Sequence, residues 1–383
     1  MSVEQILADL VAIPSLPGTP NGTVTDCLLA QLDHAGIEVT RLTGPEGDRC
    51  NLFATIGPKD KPGYILSGHS DVVSVENQTW SSDPFRLTKD GDRLTGRGTT
   101  DMKGFLACML AMAPEFASMP LQRPIHLAFS YDEEIGCRGV GHMIDRLPDL
   151  CAHPSGAIIG EPSGLKPVLS HKGKQALELR FSGKAGHSSN PALGENALYA
   201  AADMLVTIRA LSQSLEKEGP FDDRFDPPHS TCQAGVIQGG AAVNIIPDSA
   251  VIQFETRAIP GVDPRSLSRS LIEQIEALNA ASTGAGKALR ASWSETACYP
   301  ALPPCEDQGF VALMQRLSGQ EPVQAVSYGT EAGLFHQAGI ASIICGPGDI
   351  SRAHRPDEFI LRSELEACIA MLRGLGQELC RAA

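Results

Sequence analysis

The sequence predicts an α/β fold with a second, differently patterned domain inserted into it. Two observations carry this. From Met1 to about Lys172, helical segments alternate with short apolar runs: Tyr64-Ile65-Leu66, Ile125 to Tyr131 (IHLAFSY) and Ala157-Ile158-Ile159. A further run, Ser342-Ile343-Ile344-Cys345, comes near the C-terminus. β-rich runs of this kind, separated by helices of roughly ten or more residues, describe an α/β sheet whose strands are buried on both faces. From about Gln175 to Ala297 the order changes. Strand-like LELRFSG is followed by a helical stretch from Asn196 to Leu215, then by strand-like TCQAGVIQGG and AVIQFETRAI around the turn-rich AAVNIIPDS. A helix from Pro264 to about Ala281 and a last strand, ALRASWSET, complete the segment. The order β-α-β-β-α-β is the split pattern of a ferredoxin-like domain. Its flanks, HKGK and CYPALPPC, carry Gly and Pro and are read as hinges, dividing the chain into 1–174 with 298–383 and an insertion of 175–297.

Composition bounds the rest. A chain of 383 residues, 42% hydrophobic and 20% charged, can build two cores of ordinary globular type. Met1 to Pro20 has neither a basic start nor a long apolar core. Glu4 and Asp9 interrupt an amphipathic helix there, so no signal peptide is expected. No stretch approaches the roughly 18 apolar residues of a membrane span. A cytoplasmic protein that binds no membrane is the expectation. The net charge of −14 argues against nucleic acid, whose binding needs basic patches. Eleven cysteines lie scattered without a CxxC pair, which points to reduced thiols rather than a disulfide framework or a Cys-ligated zinc.

Four polar clusters follow the four apolar runs: SGHSD (67–71), YDEE (131–134), GEP (160–162) and, after a short loop, AHRPDE (353–358). Ligands of α/β sheets collect outside the carboxyl ends of the strands, so these clusters should converge. A fifth, GRGTTDMKG (96–104), precedes the helix expected from Met102 to Phe116 and would set Asp101 near a helix N-terminus. Singly, each His or Asp reads as a cap or a loop residue. Together they supply two His and three carboxylates plus one spare, a nitrogen and oxygen donor set that suits zinc, cobalt or manganese. Two metals about 3.5–4 Å apart would need a bridging carboxylate.

In this order, H-x-D, D-M-K-G, D-E-E-x-G, G-E-P and A-H-x-P-D-E make the chain resemble the M20 family of metallopeptidases and deacylases over essentially its whole length. The resemblance implies a zinc-peptidase-like α/β/α catalytic domain and makes the insertion a lid and dimerisation domain, hence a homodimer. It implies that Asp101 bridges two divalent metal ions, with His69 and Glu161 completing one site and Glu134 and His354 the other. Asp71, two residues beyond His69 on an extended segment, points to the same face and resembles the carboxylate that orients the ligand imidazole. Glu133 resembles the general base. Neighbours on an extended strand end point apart, so Glu134 can ligate while Glu133 faces the water. In the lid, His187 resembles the histidine that reaches the partner subunit's site to stabilise the oxyanion. Asn244 and Arg257 resemble the residues that hold a substrate α-carboxylate.

Ser327 to Phe335 (SYGTEAGLF) follows the acetylornithine deacetylases within that family. There the resemblance implies that Thr330 and Glu331 line the substrate pocket, with Glu331 pairing the δ-ammonium of ornithine. The alternative is a helix cap and first-turn pair. The expected reaction is hydrolysis of the small molecule N2-acetyl-L-ornithine to L-ornithine and acetate, in arginine biosynthesis. Another N-acyl-amino-acid deacylase, a succinyl-diaminopimelate desuccinylase, and a metallo-dipeptidase or carboxypeptidase stay as alternatives. A zinc-dependent binding protein is a remote further option. Histidines 34, 126, 142, 153, 171, 229 and 336 lack such motifs and are read as loop, cap or packing residues, with His171 of SHKGK at the expected hinge.

Overall fold

The computed structural model describes residues 1–381, and the chain divides into two compact units. One comprises 1–170, 302–325 and 330–383; the other comprises 171–301 with 326–329. The cuts lie outside the hinges read from sequence because strand pairing runs on to Gly173 and Lys174, opposite Ala258 and Tyr299.

The first unit is built on a six-stranded sheet in the order Val39–Thr43, Cys50–Ile56, Ile125–Ser130, Tyr64–His69, Gly156–Pro162, Ser342–Gly346. The last four are mutually parallel, and they are the four apolar runs; the first two join antiparallel at one edge. Every residue of those four strands is buried, which explains their continuous rather than alternating hydrophobicity. Their parallel direction brings four carboxyl ends to one edge.

The helix Gly104–Ser118 packs on this sheet and against the helices Val3–Val11 and Arg362–Leu379. Its sequence, GFLACMLAMAPEFAS, is apolar nearly all round, and residues 104–110 are buried without a break. Small residues on the strands let it sit close. A Cβ on Gly160 would overlap the Phe105 ring, and one on Gly68 would crowd Leu106 and Met102. Burying a side chain such as Phe105 contributes about 1.5–3 kcal/mol. Side chains alternate along a strand. Ser67, next to Gly68, therefore points to the opposite face and meets Glu331, just ahead of the helix Ala332–Gln337.

The second unit is a four-stranded antiparallel sheet in the order Thr231–Gly239, Ser249–Ala258, Gly173–Ser182, Arg290–Tyr299. With the helices Ala197–Glu218 and Arg269–Gly284 this is the ferredoxin-like arrangement. Alternate residues Leu177, Leu179 and Phe181, with Ile252 and Phe254, pack against Ala201, Met204, Ile208, Leu271 and Ile275. The helix expected from Pro264 is broken at Ser268, whose hydroxyl turns to Gln175 Oε1 at 2.6 Å.

No helix among the described residues is long and apolar enough to cross a membrane. All eleven cysteines are free thiols. Of the unassigned histidines, the side chain of His34 lies outside the described residues. His126 and His171 are fully buried. His126 stacks on Phe53 and shares a 2.9 Å hydrogen bond with Thr55 Oγ1, and the Nδ1 of His171 lies 2.8 Å from the Lys172 carbonyl oxygen.

Burial lowers both imidazoles from 6.5 to about 4. The unfolded chain therefore takes up these protons at a higher pH than the folded one. The stability they contribute is present above about pH 6.5 and is lost as pH falls towards 4. In denaturant titrations across that window, His126→Gln should flatten the acid limb by up to one proton, about 1.4 kcal/mol per pH unit. An unchanged slope would exclude His126 as a source.

Candidate metal centre

The five expected ligands come together at the carboxyl edge of the parallel strands. His69 ends its strand and is 1% exposed; its Nε2 lies 3.0 Å from Asp101 Oδ1 and 3.7 Å from Glu161 Oε1. His354 stands opposite on a left-handed backbone (φ +62°), with Nε2 3.2 Å from Asp101 Oδ2 and 3.1 Å from Glu134 Oε2. Asp101 thus offers one carboxylate oxygen to each histidine, and each histidine has a further carboxylate beside it. Ligand atoms of His69, Asp101 and Glu134 lie within 4.8 Å of one another, as do those of His69, Glu133 and Glu161.

Charge is concentrated here to an unusual degree. Burial, and then the charge of Asp101, raise Glu161 well above the usual carboxylate range and also raise Glu134. Burial, with Glu134, Glu331 and Asp101 adding to it against the pull of His69, pushes Glu133 up to about 8. Burial alone would raise Asp101 as well, but hydrogen bonds from His354 and His69 outweigh it and hold that carboxyl low. Hydrogen bonds to Asp101 and Glu134 push His354 up to about 11. Raised carboxyls beside raised imidazoles mark a site of net negative potential. Paired imidazoles and carboxylates with no sulfur fit divalent cations such as zinc, cobalt or manganese.

The elements that hold these groups differ in part from expectation. The helix begins at Gly104, so Asp101 precedes it in an irregular turn, Thr99–Lys103, with extended backbone (φ −122°, ψ 95°). Glu358, the last residue of AHRPDE, is the reason. Its carboxylate accepts the N–H groups of Gly98, Thr100 and Asp101 at 2.9–3.1 Å and pairs with Arg97 at 2.6 Å, both side chains 1% exposed. Asp71 makes more contacts than expected. The His69 Nδ1 meets the backbone oxygen of Asp71 at 3.0 Å, while its nearer carboxylate oxygen stands off at 3.6 Å. That carboxylate accepts the N–H groups of Glu133 and Glu134 at 3.2 and 3.1 Å. Asp132 (φ +55°) is held by the Gly18 N–H and by Arg49. Glu358 and Arg97 were legible only as parts of quoted motifs, and Arg49 and Cys137 had no sequence signal.

Glu331 stands at the start of the helix Ala332–Gln337. It is 1% exposed and accepts the Ser67 hydroxyl at 3.3 Å, and burial pushes it up to about 7. The helix start draws it under the strand ends, closed to solvent. Thr330 is equally buried and its Oγ1 accepts the Ala332 N–H at 3.1 Å, the capping alternative. In the second unit, His187 and Asn244 are exposed neighbours. The short strands Gly186–His187 and Ile245–Ile246 pair, and the Ser188 N–H donates to the Asn244 oxygen at 3.1 Å. Arg257 is engaged within its sheet, donating to Glu255 Oε1 at 2.9 Å and to Tyr299 Oη at 3.1 Å.

Sheet, inserted domain and donor set together define a hydrolase of the metallopeptidase and deacylase kind. The chain belongs to peptidase family M20/M25/M40, whose sequence profile matches residues 65–378. It is 31% identical to an acetylornithine deacetylase of Proteus mirabilis (99% of this chain, 97% of that one). It is 33% identical to one of Myxococcus xanthus (96% and 94%). Its fold matches the M20 family metallo-carboxypeptidase Sso-CP2 of Sulfolobus solfataricus with a TM-score of 0.78 at 20% identity, covering 99% of each chain. It also matches Bacillus subtilis YXEP, described as a dinuclear metal-binding peptidase of the M20 family, with a TM-score of 0.60 at 17% identity (98% and 96%).

Glu358→Ala should strand the buried Arg97 charge and release the turn that carries Asp101. Removing one partner of such a pair costs about 3–5 kcal/mol. A denaturant titration showing a loss under about 1 kcal/mol would contradict this role.

Proposed function

We propose that this chain is a two-metal amidohydrolase that converts N2-acetyl-L-ornithine to L-ornithine and acetate, the step expected in arginine biosynthesis in the cytoplasm. The observation that carries the reaction class is Asp101, with its two carboxylate oxygens turned to two histidines. In this reading Asp101 would be shared between two divalent ions, zinc first, with cobalt or manganese equally compatible with the donors. His69 and Glu161 would hold one ion, and Glu134 and His354 the other. When bound, the pair supplies Lewis acidity and lowers the pKa of water.

The remaining work falls to the chain's own residues. Glu133 takes a proton from the attacking water as its oxygen bonds to the acetyl carbonyl carbon, and delivers it to the amide nitrogen as the C–N bond breaks. Asp71 fixes the backbone of Glu133 and Glu134 and, through its own carbonyl, the His69 ring. His187 is assigned the oxyanion contact across a homodimer formed through the inserted domain, and Asn244 and Arg257 the substrate α-carboxylate. For Arg257 this requires exchanging its contacts to Glu255 and Tyr299.

The acetylornithine assignment is supported by the names of the relatives above and by the GTEA run at 329–332. One observation favours a broader N-acyl-amino-acid deacylase: the burial of Glu331, which keeps its carboxylate from a substrate ammonium unless the pocket opens.

Glu133→Gln should retain its metal and lose about 10²–10⁴-fold in turnover, measured with metal content on the same sample. Wild-type turnover in the metal-loaded variant would remove Glu133 from the mechanism. Glu331→Gln separates the substrate readings. A pocket role predicts at least about tenfold loss of preference for N-acetylornithine over N-acetylmethionine. Equal losses on both substrates would make Glu331 a support of the site floor, and the substrate class broader.

A further inference from the structure

The turn after Glu133 folds back on that residue. The N–H groups of Gly136 and Cys137 both donate to the Glu133 carbonyl at 2.8 Å, and the two residues lie at φ +108° and +54°. The turn carries the Cys137 side chain to the Glu133 carboxylate, where Sγ lies 3.2 Å from Oε1. Cys137 is 3% exposed, and burial together with the charges of Glu133 and Glu331 keeps it a thiol, hence a donor. A left-handed backbone costs a residue with a Cβ about 1–2 kcal/mol, and glycine would adopt it freely. A cysteine held there against that preference, with its sulfur on the carboxylate, points to a use for the side chain.

We infer that Cys137 is a positioning residue for the general base: its thiol donates to Glu133 Oε1, fixes the carboxylate rotamer and leaves Oε2 as the oxygen that accepts the proton. The inference rests on the reading of Glu133 given above. Aspartate, histidine and backbone contacts orient the metal ligands; this thiol is the contact to the Glu133 carboxylate itself.

The test uses the metal-loaded full chain with Cys137→Ala, Cys137→Gly, Cys137→Ser and Glu133→Gln, measuring kcat, KM, bound metal and thermal midpoint on each. A hydrogen bond to a charged group, made here by a weak donor, is worth about tenfold in rate. Cys137→Ala and Cys137→Gly should each lose about tenfold in kcat with KM and metal content unchanged, and Cys137→Ser, which restores a donor, should recover most of it. Cys137→Gly relieves the left-handed backbone, so its thermal midpoint should be no lower than that of Cys137→Ala while its kcat still falls. Wild-type kcat in Cys137→Ala beside an inactive Glu133→Gln would overturn the positioning role alone. A loss that serine does not restore, or one that tracks lost metal, would overturn it too. Wild-type turnover in Glu133→Gln would instead remove the reading on which it rests.

Discussion

Carboxylates taken out of water at close range repel one another and cannot all be ionised unless positive charge stands among them. Asp101, Glu133, Glu134 and Glu161 meet that condition at one edge of the sheet, with Glu331 beneath. Two imidazoles face them, at 3.0 Å and 3.2 Å from opposite oxygens of Asp101. Much of the surrounding structure exists to hold this arrangement against its own repulsion. The Arg97–Glu358 pair pins the turn at Asp101, Asp71 ties down Glu133 and Glu134, and Arg49 with the Gly18 N–H secures Asp132. A cation pair held here would relieve the repulsion, and the same ions would supply the Lewis acidity that the proposed reaction needs.

The sheet makes convergence geometrically cheap. Four parallel strands end at one level, so the residues after them share a neighbourhood although they are hundreds of positions apart in sequence. The buried helix Gly104–Ser118 then fixes the depth of the Asp101 turn. It packs against Gly68 and Gly160, one residue before His69 and Glu161 respectively. Ligand spacing is thereby tied to core packing, and a close-packed core tolerates little displacement.

Much of this was legible in the sequence for a physical reason. Strands buried on both faces leave unbroken apolar runs, and His and carboxylates are common metal ligands, so run and cluster together mark both fold and site. What escaped was set by hydrogen bonds between distant segments. Glu358 had no role in the sequence because its partners, the N–H groups at 98, 100 and 101, carry no residue identity. The Asp71 carboxylate stands 3.6 Å from the His69 Nδ1 and also accepts the N–H groups of Glu133 and Glu134, contacts that carry no residue identity. The resemblance that puts Glu331 in a substrate pocket gives no sign of its contact with Ser67, which depends on where the helix Ala332–Gln337 starts against a strand 264 positions away. Cys137 looked like any buried thiol until its left-handed backbone placed the sulfur on Glu133.

The central claim, that one carboxylate is shared between two cation sites, is tested most directly by calorimetric titration of the chelator-stripped chain with zinc. The account predicts two equivalents bound per chain, and stoichiometric binding at neither site once Asp101 is changed to asparagine. A single equivalent in the unaltered chain, or two equivalents in Asp101→Asn, would contradict it.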